Sequence, residues 1–385
     1  MRACCLTTLD ELEPYTDGWE HLAGGVPFRG WTWLSNWWRH YRPKNEAEAL
    51  WTHLAVLCVF DDYDALIGIA PWYLDDSPIQ GRVLRALGSG EVCSDYLGIL
   101  CRPGGEEAVV EALADYLATN TLDALRWDLL QLDGIDAEDR VTFALVDRMA
   151  ELGCTVHRRP GLNCWRLELP TDWDRYVASL GKNLRRDLRR LERELLGSSR
   201  LVLHSATRID ELPRAMDILV DLHQRRREKL GDAGCFASDR FLAFYRDVVP
   251  GLLRCGQVQF NWLELDGRPV AAEYQLAGDG ILYAYQAGID PDTLDAQPGK
   301  LINVAILRGA IADGYRAFDF LRGDEPYKAR FGAKPRPSME FRIVPRRTIP
   351  QIRHNLWLAG SSVKKWVKRG IQGQGPQVEE MTSRR

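Results

Sequence analysis

Phe318-Asp319-Phe320-Leu321-Arg322-Gly323-Asp324-Glu325-Pro326-Tyr327-Lys328-Ala329-Arg330-Phe331-Gly332 joins the end of an apolar run to a polar loop. Residues 317–321 are apolar apart from Asp319 and read as a buried strand. The run breaks at Gly323, bends through Asp324-Glu325-Pro326 and presents Tyr327-Lys328. Strand ends that feed polar loops are where α/β and α+β folds place their chemistry. A lysine beside an aromatic ring, just off a rigid strand, suits stabilisation of negative charge in acyl transfer. A solvated lysine on a surface loop is the plain alternative.

Upstream lie a helix over 300–312, stopped by Gly314, a loop over 288–299 and a strand over 281–287. Before these, residues 259–265 and 269–276 flank Asp266-Gly267, a strong hairpin turn signal. The first half repeats the plan. Residues 54–60 and 65–74 flank an acidic turn and read as a hairpin. A run over 84–100 carries Ser94-Asp95-Tyr96, a helix spans 106–117 and a strand 125–132. A helix over 140–152 and a strand over 163–169 close this half. Trp127-Asp128-Leu129-Leu130 matches Phe318-Asp319-Phe320-Leu321 in pattern, an acid after an aromatic within a strand. The expectation is an α+β chain of two tandem domains, 1–170 and 171–345, each a mixed, mostly antiparallel sheet flanked by helices, with a basic tail over 346–385. A single large mixed sheet is the alternative.

The 385 residues provide ample core for two domains. The net charge of −4 gives no bulk attraction to nucleic acid or anionic membrane, so any basic site is local. No apolar run is long enough to span a bilayer, and the first residues do not read as a signal peptide. Nine scattered cysteines form no paired framework, which implies reduced thiols in the cytoplasm. Seven unclustered histidines and no CxxC speak against a metal.

Residues 19–42 are dense in aromatics, with Trp33, Trp37 and Tyr41 at helical spacing, as are Leu34 and Trp38. Core packing is the first reading, and a substrate-facing wall the sharper one. A helix starting at Thr171 or Asp172 has an apolar stripe of Trp173, Val177, Leu180, Leu184, Leu188, Leu191 and Leu195. Its other face carries Lys182, Arg185, Arg186, Arg189, Arg190 and Arg193. That face is either solvated and laced with ion pairs or a cradle for phosphates of a nucleotide, coenzyme A or tRNA. Residues 341–378 hold no acid and interleave Arg346, Arg347, Arg353, Lys364, Lys365, Lys368 and Arg369 with apolar residues. Such a tail docks on its own domain, on RNA, or on an anionic membrane through 346–369.

The Phe318–Gly332 stretch is similar to the strand-and-loop pattern of CelD/BcsL-type acetyltransferases of the GNAT superfamily. The related FemABX peptidyl transferases carry an aromatic-Lys-x-x-Phe-Gly version. The resemblance continues in the basic helix over 179–195, in Leu222-His223-Gln224-Arg225-Arg226, in residues 266–272, in Gly288-Ile289-Asp290 and in Pro298-Gly299-Lys300-Leu301. It implies tandem GNAT-like domains and an acyltransferase using acyl-CoA, with acetyl-CoA the simplest case. It places Lys328, with Tyr327 beside it, at the oxyanion, and Gln297, Gly299 and Lys300 at the pyrophosphate of the carrier.

Among the carboxylates, Glu273 stands in an apolar strand, where an acid is costly unless paired or functional, and is the first candidate base. Asp319 and Asp95 follow by the same reasoning, and His223 is a further option. No serine or cysteine stands in a nucleophile elbow, so direct attack without a covalent enzyme intermediate is expected. Substrate contacts are expected from Lys182, Arg185, Arg186, Arg189, Asp95, Tyr96, Trp38, His223 and Arg226, and a cofactor contact from Arg322. The acceptor is a small molecule, glycan or peptide. The alternatives are aminoacyl transfer from tRNA and a non-catalytic factor for envelope or polysaccharide assembly.

Overall fold

The computed structural model describes residues 1–44, 52–119, 125–193 and 200–372, with side chains to residue 360. Three sheets organise the chain, and helices flank them. The four-stranded sheet is antiparallel, in the order Arg2–Leu6, Val56–Phe60, Leu66–Ala70, Leu100–Cys101. The six-stranded sheet runs His53–Leu54, Trp72–Ser77, Gly81–Ala86, Leu129–Asp136, Ser338–Val344, Thr155–Pro160. The seven-stranded sheet runs Leu201–Ala206, Val258–Leu265, Arg268–Gly278, Ile281–Ile289, Ala317–Arg322, Cys164–Glu168, Lys334–Arg336. The α+β class is as the sequence implied.

The expected 65–74 strand is two strands in different sheets. Pro71 lacks the N–H that a continuous ladder needs, and the chain turns there from the four-stranded to the six-stranded sheet. Asp266 and Gly267 have φ of 52° and 79° and make the hairpin turn between Val258–Leu265 and Arg268–Gly278. Each half contains one parallel pair. Gly81–Ala86 lies beside Leu129–Asp136, and Ile281–Ile289 beside Ala317–Arg322. Each pair is joined by a crossover containing a helix, Glu106–Thr119 or Pro298–Ala312. The repeat read in the sequence is therefore real at this level, although Asp128 precedes its strand while Asp319 lies within its own.

A boundary at residue 170 does not separate the sheets. Cys164–Glu168 pairs with Ala317–Arg322 and Lys334–Arg336, and Ser338–Val344 returns to pair with Leu129–Asp136 and Thr155–Pro160. The halves exchange strands, a long-range pairing that local periodicity does not carry.

The basic helix is also broken. Trp173–Ser179 and Lys182–Leu191 are separate helices, with Leu180 extended between them and buried. Arg185 donates to the Ala178 and Leu180 carbonyls and so closes the end of the first helix. Leu195 lies outside the described residues.

The first turns of the helix Thr348–Gln372 dock on the N-terminal half. Arg353 and Arg347 pair with Asp128 at 2.9 and 3.3 Å, and His354 is buried. Ile349, Ile352 and Leu356 remain exposed on this helix. The side chains of Lys364, Lys365, Lys368 and Arg369 lie outside the described residues. Among the described residues no helix is long and apolar enough to cross a membrane.

Candidate active site

Ile281–Ile289 and Ala317–Arg322 pair only at Ile281↔Ala317, Leu282↔Phe318 and Tyr283↔Asp319. Beyond these registers the strands part. A cavity of about 310 Å³ opens between them, lined by residues 284–287 on one side and 320–322 on the other. Glu273, Asn303, Asp95, Arg227, Tyr327 and Lys328 line it as well, together with Cys93 and Glu325. The backbone leaves the strand plane at Leu321, with φ 57°, and at Gly323, with φ 111°. A Cβ on Gly323 would meet only the Glu325 carboxylate, the end of an exposed side chain that can swing aside, so it is the angle that calls for glycine.

Glu273 lies on Arg268–Gly278 with Gln275 two residues on, so both side chains share a face. Gln275 Nε2 donates to one carboxyl oxygen at 2.9 Å, and Asn303 Nδ2 donates to the other at 2.9 Å. Behind Gln275, Ser205 Oγ donates to Asn261 Oδ1 at 2.6 Å, and Asn261 Nδ2 donates to Gln275 Oε1 at 3.0 Å. A carboxylate only accepts, so the whole chain of amides points its positive ends at Glu273. No cation pairs with Glu273 among the described residues. Burial pushes its carboxyl up to about 8, against the opposing pull of Gln275. That value suits proton removal near neutral pH.

Lys328 is buried, 2% exposed, and borders the cavity. Its Nζ donates to the carbonyls of Leu321, Arg322 and Gly323 at 3.1, 2.8 and 3.0 Å, and lies 2.9 Å from Glu325. An ammonium has three donors, and all are taken. This corrects the sequence expectation of a free amine aimed at an oxyanion. Lys328 clamps the strained strand end and brings a positive charge to the cavity wall. Tyr327, its neighbour, lines the cavity and also a second groove of about 670 Å³. Burial and the nearby Glu273 raise its hydroxyl well above the ordinary tyrosine range, so it stays protonated.

The second groove is lined by Lys182, Asn183, Asp187, Lys300, Tyr327 and Arg330, among others. Lys300 Nζ is 2.6 Å from Gln297 Oε1 and 3.5 Å from Asp187. Gly299 also has a packing role. A Cβ there would meet Ile289 Cδ1 at 2.7 Å, so the glycine lets the helix Pro298–Ala312 pack against the strand. Lys182, Arg186 and Arg189 are exposed, whereas Arg185 is committed to its capping carbonyls.

Asp319 is not in the cavity. Its carboxylate is fully buried and accepts from Tyr96 Oη, Arg166 Nε at 2.9 Å and Leu321 N at 2.8 Å. Burial raises it, with Arg166 the main opposing influence. Strand alternation turns Asp319 away from the face that Phe320 presents. Tyr96 therefore serves this lock and not a ligand. Asp95 does line the cavity, but it accepts from Arg322 N at 3.2 Å and Arg322 Nε at 2.5 Å, so the two are partners. Trp33 Nε1 donates to Ser94 Oγ at 2.8 Å and holds this loop in place.

Trp38 is buried against Trp37 and Tyr73 and borders a different groove of about 850 Å³. His223 is buried against Phe236 beside Gln224 and Cys235, and does not reach the cavity. Arg226 does not line it either, while Arg227 does. Sequence reasoning missed Arg227 and Asn303. Asn303 had a signal, a lone amide in the apolar helix Leu301 to Leu307; Arg227 had none. No group of His, Cys, Asp and Glu that could hold a metal occurs among the described residues.

Residues 182–329 match the family model described as acetyltransferase (GNAT) domain. The chain carries an acyltransferase domain. Lys182, Lys300, Lys328, Glu273 and most of the cavity lining fall within the matched residues, while Cys93 and Asp95 come from the first half of the chain. No curated protein matches the chain. A crystal structure of FemX is similar in fold, with a TM-score of 0.61 at 11% identity, over 91% of this chain and 99% of that one. A conserved protein of unknown function from Bacteroides thetaiotaomicron gives 0.53 at 10%, over 89% and 100%. Both likenesses extend beyond the acyltransferase domain and concern the fold of nearly the whole chain.

Proposed function

We propose that the protein moves an acyl group from acyl-CoA to an amine or hydroxyl acceptor by direct attack in the cavity between the parting strands. The observation that carries this reading is Glu273, a buried carboxyl on the cavity wall that accepts from Gln275 and Asn303, is raised to about 8 by burial, and pairs with no cation among the described residues. The acceptor attacks the thioester carbonyl, and Glu273 takes the proton that the acceptor loses. The tetrahedral oxyanion forms in the positive field of Lys328. Its collapse expels the thiolate, which takes up the proton that Glu273 accepted and so returns the enzyme to its starting state, while Tyr327, the side chain shared by both cavities, donates a hydrogen bond to the departing sulfur. The phosphates of the carrier lie in the second groove, with Lys182 and Lys300 as the cations.

A second reading, aminoacyl transfer from tRNA, is favoured by one observation. Arg186 and Arg189 stand exposed on the helix that supplies Lys182, which extends the positive surface beyond what coenzyme A needs. Incubation with acetyl-CoA and a panel of amines, with release of free thiol as the readout, separates the two. Thiol release unaffected by RNase is expected. Acyl transfer that requires charged tRNA and disappears with RNase would replace the first reading by the second.

A further inference from the structure

On the six-stranded sheet, Arg342 is register-paired with Gln131 on one side and His157 on the other, and Arg85 is paired with Gln131 from the next strand. Register partners share a face, so Arg85, Gln131, Arg342 and His157 form one row across four strands. Arg159 and Glu340, a pair, stand in the neighbouring row on the same face. This polar face bounds a cavity of about 210 Å³, roofed by Trp357 from the docked C-terminal helix. It shares no residue with the catalytic cavity.

Arg342 makes the cavity unusual. It is 8% exposed, with its guanidinium carbon 4.0 Å from the centre of the Trp357 ring. Its one described hydrogen bond is to Gln131 Oε1 at 3.2 Å, and its Nε is buried without a partner. No carboxylate pairs with it among the described residues. Arg159 is paired with Glu340, and Arg85 contacts Asp75 at 3.3 Å and donates to Gln80 Oε1 at 3.0 Å. A buried guanidinium that forms no ion pair, set between two others with Asp133 only in its surroundings, is costly unless an anion completes it. Burial pulls Arg342 down to about 10, Arg85 and Arg159 add to the effect, and Asp133, which also lines the cavity, opposes it.

We propose that this cavity is a second ligand site, which binds the phosphate group of a small molecule between Arg342, Arg85 and Arg159. Guanidinium forks match phosphate oxygens, and the volume leaves room for the first carbons of an ester. Because Trp357 belongs to the C-terminal helix, occupancy also ties that helix to the sheet. The site is independent of the proposed reaction.

The test is calorimetric titration of the full chain with inorganic phosphate and with glycerol phosphate, at constant ionic strength, with acetate as the control for charge alone. One saturable site is expected, with binding of either phosphate at least tenfold weaker in Arg342→Met and in Arg85→Gln. The same titration is expected to be unchanged in Lys182→Gln/Lys300→Gln. Phosphate is also expected to slow amide exchange over residues 348–360. Tighter binding of the ester than of free phosphate would identify the ligand as an esterified phosphate, and equal binding as free phosphate; both support the site. Absence of saturable binding overturns it, as does equal binding of acetate. Binding lost in the lysine variant but kept in the arginine variants also overturns it. Should Arg342→Met fail to fold, Arg85→Gln, whose side chain is 22% exposed, decides alone.

Discussion

Glu273→Gln is expected to lower kcat by about 10²–10⁴-fold, because the amide cannot accept the proton that the acceptor must lose. The parent enzyme should gain activity as pH rises through about 8, where the Glu273 carboxyl ionises, and the variant should lose that limb. Stability moves in the opposite sense. The folded state holds the Glu273 proton more tightly than the unfolded chain, so the stability this contributes is present below 4.5 and lost as pH rises through about 8. A glutamine does not titrate. The stability difference should therefore shift towards the variant across that window, by up to about 5 kcal/mol. Paired denaturation curves at several pH values and a pH–rate profile check both parts. A variant with full turnover, or a parent profile flat from pH 6 to 9, would remove Glu273 from the mechanism.

Lys328→Met should be the most damaging single change in the C-terminal half. The thioether keeps the bulk but leaves three carbonyls, those of Leu321, Arg322 and Gly323, without their donor. Each stranded group costs about 1–3 kcal/mol, so a loss of at least about 3 kcal/mol is expected. The left-handed geometry at Leu321 and Gly323 then relaxes, and the cavity loses one wall and one of its positive charges. A fall in kcat of about 10²–10³-fold should accompany the loss of stability. Urea denaturation and turnover at a temperature where the variant stays folded separate the two effects. A folded variant with unchanged turnover would limit Lys328 to a structural role.

The candidate site was only partly legible in the sequence. Glu273 stood out because an acid inside Ala271-Ala272-Glu273-Tyr274 needs a reason, and the structure gives it a cavity. Asp319 stood out for the same reason and has a different explanation. Its charge is spent on Arg166 and Tyr96 from the first half of the chain. Two buried acids in apolar strands look alike in sequence, because the cost of burial is the same and only the partner differs. Lys328 was rightly linked to the strand end, but its donors could not be assigned without knowing that the loop turns three carbonyls inward. The basic helix showed cations without showing that Arg185 caps the preceding helix.

What the residues determined alone were local matters: hairpin turns at Asp-Gly, breaks at Gly and Pro, amphipathic faces, and the repeated order of elements. These follow from backbone sterics and from periodicity, which act over a few residues. Tertiary structure alone decided which strands part to open a cavity, and that each half lends a strand to the other. It also decided which charges meet partners and which, like Arg342, do not. Those outcomes depend on contacts between residues far apart in the chain, where burial sets the energy of a charge and no short window of sequence records its surroundings.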